Sequence, residues 1–293
     1  MGAGAIGSFF GAKLARAGAA VTLIGRPAYV EAVRRDGLKF ESTGKVAAVP
    51  VGAATEPSGV RGARYVLLCV KSGDTDAAAM AIAPHLTKDA VVLSLQNGVG
   101  NAERIRAHVK QTVVPALVYT AAQMPSPGHV VHTGGGSLVI GGAERALLER
   151  IVVLFARADV PVTISADIDA EMWTKLLMNC AYNAVSALTM ANYATMTAMP
   201  EVRRVMRTAA DEVIAVAAAK NIRIDTAILD RMFDMGQTMP NQISSTAQDV
   251  AKGRTTEIDY LNGAVVREGE ALGVATPVNR VLYALVKLLE TKR

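Results

Sequence analysis

Residues 2–24 read GAGAIGSFFGAKLARAGAAVTLI, a glycine turn, a helical stretch and a short apolar strand in direct succession. Gly2, Gly4 and Gly7 stand in GxGxxG spacing, and the helical pattern after them runs through Leu14 to Ala17 before Gly18 ends it. The spacing has a mechanical meaning. The first glycine permits a tight turn, the second lets a pyrophosphate approach the backbone, and the third lets the helix pack closely on a strand. Ala5 and Ile6 lie between them, so the free N–H groups and positive dipole of the helix start face the same point. Glycine-rich turns are common, however, and the motif gains meaning only from the elements around it.

Working outward, Ala20–Ile24 (AVTLI) is a short buried strand followed by Gly25-Arg26. A site for NAD would carry Asp or Glu there to hold the ribose hydroxyls, whereas an arginine suits a 2′-phosphate, so NADP is favoured. A solvated loop arginine ahead of Pro27 is the competing reading of Arg26. Residues 28–36 read as a helix that stops at Gly37, and Leu38–Val51 as a pair of short strands. Tyr65–Val70 (YVLLCV) and Ala90–Leu95 are continuous apolar runs of the kind a parallel sheet buries on both faces. The first is followed by Lys71 and the second by Gln96-Asn97-Gly98. Lys71 and Asn97 therefore sit where open α/β sheets bind ligands, at the carboxyl ends of strands; each could instead be an ordinary turn residue. A strand at 112–122, a hairpin from Gly128 to Gly141 turning at Gly134-Gly135-Gly136, a helix near 144–157 and a strand at 160–164 complete a first domain, residues 1–166. His129 and His132 fall on opposite faces of that hairpin, which disfavours a metal site and marks them as surface residues.

A dinucleotide fold needs an apolar strand immediately before the glycine turn, at the centre of a sheet ordered 3-2-1-4-5-6. The sequence given begins Met1-Gly2. The expectation is a gap between Val21–Ile24 and Val66–Cys69, an apolar β-rich segment encoded upstream of Met1, and weak cofactor binding without it.

From Asp167 onward strand signals vanish and the pattern is helical, which sets a second domain at 167–293. Its opening stretch, WTKLLMNCAYNAVSALT from Trp173 to Thr189, carries Lys175, Asn179 and Asn183 on an otherwise apolar helix. Each step of four residues advances only about 40° around a helix, so the three share one flank. Burying an ammonium and two amides is costly unless each finds a partner. A cleft lined for a polar ligand is one explanation, and a helix–helix contact whose amides satisfy each other is the other. Further on, Ser244 or Ser245 in ISSTAQD can cap a helix, and Glu257 in GRTTEIDYLNG can be an acid of a helical first turn.

Composition narrows the function classes. The 293 residues, 51% hydrophobic, are enough for two cores and show no disorder signature. The formal charge of +5 is dispersed and few aromatics accompany it, and a phosphorylated or carboxylate-bearing small ligand explains the surplus as well as nucleic acid does. Cys69 and Cys180 belong to no CxxC or Cys/His cluster, so reduced thiols in a cytoplasmic protein are expected. No apolar run reaches the ~18 residues of a membrane span.

Taken together and in this order, GAGAIG, Arg26, Val70-Lys71, Gln96-Asn97-Gly98, WTKLLMNCAYNAVSALT, ISSTAQD and GRTTEIDYLNG resemble the ketopantoate reductase family over nearly the whole chain. The Lys-x3-Asn-x3-Asn helix and the Glu-Ile-Asp segment carry most of that resemblance. It implies an α/β Rossmann-type N-terminal domain with an all-helical C-terminal domain of the 6-phosphogluconate-dehydrogenase type. The implied activity is reduction of 2-dehydropantoate to pantoate with NADPH, on the route to pantothenate and coenzyme A. By the same resemblance Lys175 is the general acid, Glu257 interacts with it, Asn179 and Asn183 hold the substrate's polar groups, and Ser245 binds its carboxylate. Gly2, Gly4, Ala5, Ile6, Gly7 and Arg26 hold the cofactor, with Lys71 and Asn97 lining the cofactor and substrate site. The expected partners are a small 2-oxo acid and a second copy of the chain in a homodimer, with no metal, nucleic acid or membrane. Two positions depart from the family pattern, Thr246 where Met is common and Gln242 where Asn is frequent, and both bear on the substrate. A paralogous reductase of another 2-oxo acid and a non-catalytic nucleotide-binding regulator are the alternatives.

Overall fold

The computed structural model describes residues 1–291 and divides the chain into two compact units that part between Ile168 and Asp169. The first unit holds α1 (Ala5–Arg16), β1 (Thr22–Ile24), α2 (Pro27–Asp36), β2 (Leu38–Ser42), β3 (Lys45–Val49), β4 (Gly52–Ala54) and β5 (Tyr65–Leu68). It continues with α3 (Thr75–Ile82), β6 (Val91–Ser94), α4 (Asn101–Arg106), β7 (Thr112–Ser126), β8 (His129–Ile140), α5 (Arg145–Ala156) and β9 (Val162–Ile164). β6 is buried at every residue, as its unbroken apolar run demands of a central parallel strand. Pro27 opens α2 with its pre-set φ, and Gly37 closes it at φ 73°, a conformation that favours glycine.

The strands form a sheet ordered β3-β2-β8-β7-β6-β5, with β9 beside β8, and a separate parallel pair β1-β4. β5, β6 and β7 run parallel, while β7 and β8 form a long antiparallel pair. The gap expected between Val21–Ile24 and Val66–Cys69 is there: among the described residues no strand lies between β1 and β5. Only Met1–Ala3 spans that interval. The Met1 nitrogen donates to the Leu67 carbonyl (2.8 Å) and its carbonyl accepts from Cys69 (2.8 Å), while Gly2 and Ala3 donate to Ile24. Two apolar cores cover the faces of this unit. One gathers Phe9, Phe10 and Phe155, the latter two rings 5.9 Å apart and perpendicular, and the other gathers Ile82, Val92 and Ile105.

The hairpin is also corrected. Its turn lies between Ser126 and His129, and Gly134–Gly136 sit inside β8 where the register against β7 slips. Gly135 has φ 68°, and a Cβ there would stand 2.3 Å from the Tyr119 carbonyl, so these glycines serve an irregular crossing of strands. His129 and His132 are half-buried and partnered rather than free on the surface. His129 Nε2 lies 3.0 Å from Glu41, and His132 bonds Ser42 and stacks on Phe9 at 4.6 Å.

The second unit is helical: α6 (Ile168–Thr189), α7 (Tyr193–Ala198), α8 (Pro200–Ala219), α9 (Ile228–Arg231), α10 (Met235–Thr238), α11 (Ser245–Ala251), α12 (Asn262–Leu272) and α13 (Pro277–Glu290). α6 is its axis, with Trp173, Leu177, Cys180, Ala181 and Tyr182 buried. The Tyr182 hydroxyl donates to the Met232 carbonyl at 2.6 Å, which satisfies a phenol that burial would otherwise orphan. Glu212 performs a similar service for α13. Its carboxylate accepts from the Val278 and Asn279 N–H groups at 2.8 and 2.9 Å, and from the Asn279 amide. A single helix over 255–272 is not what forms, because residues 258–260 make a separate tight turn and α12 begins at Asn262. Glu257 precedes that turn instead of opening an α-helix.

Candidate active site

The glycine turn divides its labour as the spacing foretells. Gly2 has φ 91°, and a Cβ there would lie 2.6 Å from the Val70 nitrogen, so the close pass of the chain over the end of β5 requires glycine. A Cβ on Gly7 would meet the Gly2 carbonyl at 2.3 Å, which fixes how near α1 lies to the turn. At Gly4, in contrast, a Cβ would meet nothing within 4 Å. Open space thus stands over the start of α1, where an anion can approach. Gly4 is the N-cap of α1 and offers no side chain, so the helix's first amides at Ala5, Ile6 and Gly7 stay available to a ligand. The turn suits a pyrophosphate.

Arg26 flanks this turn. Gly25 is packed so closely that its Cβ would lie 2.9 Å from that of Ala3, and the exposed Arg26 guanidinium has no partner among the described residues. α2 is held against α1 by a buried 2.9 Å hydrogen bond between Ser8 and Tyr29, and burial pushes the Tyr29 phenol up to about 12. An unpaired cation is consequently kept beside the glycine turn by a rigid pair of helices.

Lys71 and Asn97 follow the carboxyl ends of β5 and β6, and a polar network that sequence reading did not anticipate joins their loops. Ser72 Oγ donates to the Asn97 carbonyl at 2.9 Å, and Asn101 Nδ2 donates to the same oxygen at 2.8 Å. Thr75 Oγ1 donates to Asn101 Oδ1 (3.0 Å), and Gln96 Nε2 donates to Thr75 Oγ1 (2.7 Å) and to the Val70 carbonyl (3.1 Å). Arg104 closes the network on the Ser72 carbonyl at 2.7 Å and on Asp76, whose carboxyl it holds below its usual range. The signal was present as polar residues just past two apolar runs, but their mutual distances depend on strand register.

In the second unit α6 presents Lys175, Asn179 and Asn183 along one flank. Burial pulls the Lys175 ammonium down to about 8, and the charge of Glu257 opposes the shift. Among the described residues, neither the Asn179 nor the Asn183 side-chain amide has a hydrogen-bond partner, although Asn183 is only 5% exposed. The amides do not satisfy each other, so the helix–helix explanation of the flank fails. Asn179 is half-buried, and among the described residues the enclosed side-chain atoms without a partner belong to Thr120, Asn262 and Thr276, so both amides remain within reach of water or of a polar ligand.

Neighbouring segments are pinned to this flank. Ser244 caps α11 by accepting from Ala247 N–H, donates through Oγ to the Asn183 carbonyl at 3.1 Å, and donates its N–H to Ser186 Oγ at 3.1 Å. The cap question is thereby resolved for Ser244, and Ser245, the first helical residue, is left exposed. Glu257 sits in a strap fastened to α13: Glu290 accepts from Thr256 N–H and Oγ1 at 2.8 and 2.7 Å, and Asp259 bonds Tyr283 and Lys287. Among the described residues no group of His, Cys, Asp or Glu could hold a metal ion, and no helix is long and apolar enough to cross a membrane.

Comparison with known proteins agrees with the pattern from end to end. The model of ketopantoate reductase PanE/ApbA matches residues 1–145, and that of its C-terminal domain matches residues 167–290. A 2-dehydropantoate 2-reductase of Halobacterium salinarum is 35% identical over 99% of this chain and 97% of its own. Among solved structures, a PanE/ApbA family ketopantoate reductase from Ralstonia eutropha JMP134 superposes with TM-score 0.95 at 47% identity, over 100% of this chain and 97% of that one. A D-mandelate dehydrogenase solved with NADH and anilino(oxo)acetate superposes with TM-score 0.92 at 27% identity, over 99% and 97% of the two chains. The family models cover both units, and the chain belongs to the ketopantoate reductase family.

Proposed function

We propose that the chain is a cytoplasmic, NADPH-dependent 2-dehydropantoate 2-reductase. The observation that carries this reading is the flank of α6, where an ammonium with its pKa pulled to about 8 stands on one helix with two amides that have no hydrogen-bond partner among the described residues. A 2-oxo acid offers a ketone oxygen to the first and polar groups to the others. When bound, the dinucleotide supplies the hydride. Reduction of the ketone would place negative charge on its oxygen, which the Lys175 ammonium would stabilise and then protonate. A pKa near 8 suits this role, since the lysine is still protonated at neutral pH yet gives up its proton more readily than an exposed lysine. Glu257 keeps enough negative charge nearby for the ammonium to survive burial. The amides of Asn179 and Asn183 orient the substrate, and Ser245 offers a hydroxyl to its carboxylate.

The residues of the first unit fit the dinucleotide. Open space over Gly4, free amides at the start of α1 and the unpartnered Arg26 guanidinium match a pyrophosphate and a 2′-phosphate, and Lys71 and Asn97 stand on loops the polar network holds rigid. A second reading, reduction of another 2-oxo acid, is favoured by the close superposition on D-mandelate dehydrogenase and by Thr246 and Gln242 in the substrate segment. Oxidation of NADPH and of NADH with 2-dehydropantoate, beside a panel of aryl and alkyl 2-oxo acids, separates the two. The expected result is the highest kcat/KM for 2-dehydropantoate with NADPH. A higher value for an aryl 2-oxo acid would move the assignment to the second reading, and no turnover with any 2-oxo acid would overturn both.

A further inference from the structure

The segment GRTTEIDYLNG ends in Asn262 and Gly263, and neither has a part in the reaction proposed above. Asn262 is fully buried and opens α12. Both its amide N–H groups are spent: Nδ2 donates to the Cys180 carbonyl of α6 at 3.1 Å and to Asn279 Oδ1 of α13 at 2.9 Å. Its oxygen, enclosed as well, has no hydrogen-bond partner among the described residues. An idle buried acceptor is costly, so the side chain is kept for its two donors.

Their direction is fixed from behind. Asn279 gives its own amide N–H groups to the Ala209 carbonyl at 2.9 Å and to Glu212 at 2.7 Å, which leaves its oxygen to face Asn262. A carbonyl can only accept, and a helical carbonyl keeps a second lone pair beyond its bond to the N–H four residues on. The bond to α6 therefore has one sense, and it lands on the turn between Asn179 and Asn183. Lys175 lies about 7.5 Å back along the same helix axis.

The same residue ends the strap that carries Glu257. Glu257 leads into the tight turn 258–260, Leu261 N–H closes that turn on the Ile258 carbonyl at 3.2 Å, and Asn262 follows. Ile258 and Leu261 are buried, and a Cβ on Gly263 would meet the Tyr283 ring at 2.9 Å and the Ile258 carbonyl at 3.1 Å, so the turn is packed without slack. The fastening at Thr256 is to α13, and the one at Asn262 is to α6, the helix that carries Lys175. Other charges nearby are engaged elsewhere: Asp259 accepts from Tyr283 and Lys287, Glu290 pairs with Lys287, and Glu212 accepts from the start of α13. Glu257 is the charge that acts on Lys175.

We propose that Asn262 is a positioning residue: it ties the Glu257 strap to α6 and so sets where that carboxylate stands relative to the Lys175 ammonium. This role rests on the reading of Lys175 as the acid of the reaction, and a readout taken without substrate separates the two.

The test is a cycle of Asn262→Leu and Glu257→Gln, made singly and together. Leucine is close to the amide in shape and cannot donate; Asn262→Ser, too short to reach Cys180, takes its place if the leucine variant does not fold. The first readout is titration of the Lys175 side chain by NMR of protein with labelled lysine, its resonance identified by loss in Lys175→Met. The second is the pH profile of kcat/KM with NADPH and 2-dehydropantoate. Loss of the tie should let the carboxylate withdraw, so Asn262→Leu moves the lysine titration and the falling limb to lower pH, as Glu257→Gln does. In the Glu257→Gln background the same substitution should move neither further, because no charge is left to position. A residue that only packs α12 against α6 would lower the melting temperature and leave both midpoints in place, and that result would overturn the proposal, as would equal shifts in the two backgrounds. A lysine titration that follows the expected pattern while the kinetic limb does not would uphold the tie and remove Lys175 as the acid.

Discussion

The loops after β5 and β6 and the Lys175–Asn183 flank of α6 are both polar, and they differ in how far that polarity is satisfied. In the first region Ser72, Thr75, Gln96 and Asn101 bond one another and the backbone, so their polarity is spent on holding two loops in place. In the second, the Asn179 and Asn183 amides have no hydrogen-bond partner among the described residues, on a helix whose other faces are packed. Their amide atoms are not enclosed, so water or a polar ligand can reach them. The saturated set serves as scaffold, and the unsaturated set is the one proposed to meet the ligand.

Removing the acid should produce the largest effect. Lys175→Met is expected to lower kcat by about 10²–10⁴-fold, the range for loss of a positioned proton donor, while NADPH binding is retained. The folded protein should lose no stability. Its lysine pKa is depressed from 10.5 to about 8, so at pH 7 folding carries a charge it disfavours, and that penalty is relieved only as pH rises from 8 toward 10.5. Steady-state kinetics with a thermal melt at pH 7 checks both halves, and near-normal turnover would remove Lys175 from its role.

Exchanging one amide in each region tests the contrast directly. Asn101→Ala strips partners from Thr75 and from the Asn97 carbonyl and should cost about 1–3 kcal/mol of stability, as buried bonded groups do. Asn183→Ala removes a side chain that bonds nothing among the described residues, so its melting temperature should fall less than that of Asn101→Ala. Its KM for the 2-oxo acid should rise about tenfold or more, the worth of a lost hydrogen bond to a charged group. Equal destabilisation by the two substitutions would erase the distinction.

Much of this contrast could be read from the chain, for physical reasons that differ by region. The α6 flank was legible because helical periodicity is local: residues four apart share a face whatever packs around them. The glycine turn was legible for the same reason, since Gly2, Gly4 and Gly7 answer to distances within a few residues. The network beneath Lys71 and Asn97 was not, because the pairing of Gln96 with Thr75 depends on the register of β5 against β6. The glycines at 134–136 misled because glycine signals both turns and bulges, and only pairing with β7 tells them apart. The Glu257 strap was misread as helix because its conformation is set by Glu290 and Asp259 bonds, to residues far along the chain or on α13.

Arg26 extends the comparison to the cofactor. It too is polar and without a partner, and it is expected to select the 2′-phosphate. Arg26→Ala should raise the Kd for NADPH by about tenfold, the cost of one charge-assisted contact, and leave that for NADH nearly unchanged. Fluorescence titration with both nucleotides decides it, and wild-type protein that binds the two equally would contradict the reading.

The smallest effect concerns Glu257, and it is a shift on the pH axis more than a loss of rate. The proton for reduction comes from the Lys175 ammonium, so kcat/KM should be level below about pH 8 and fall roughly tenfold per unit above it. Burial sets that midpoint low and the Glu257 carboxylate raises it, which fixes the sign of the change when the carboxylate is removed. Glu257→Gln keeps the shape and bonding of the side chain but withdraws the charge, so the lysine pKa drops further and the falling limb moves to lower pH. At pH 6.5 the variant and the parent should remain similar in kcat, and at pH 8.5 the variant should lag. A limb that stays in place would mean that Glu257 holds the strap without tuning the acid, and would put it with the saturated scaffold rather than with the flank that meets the ligand.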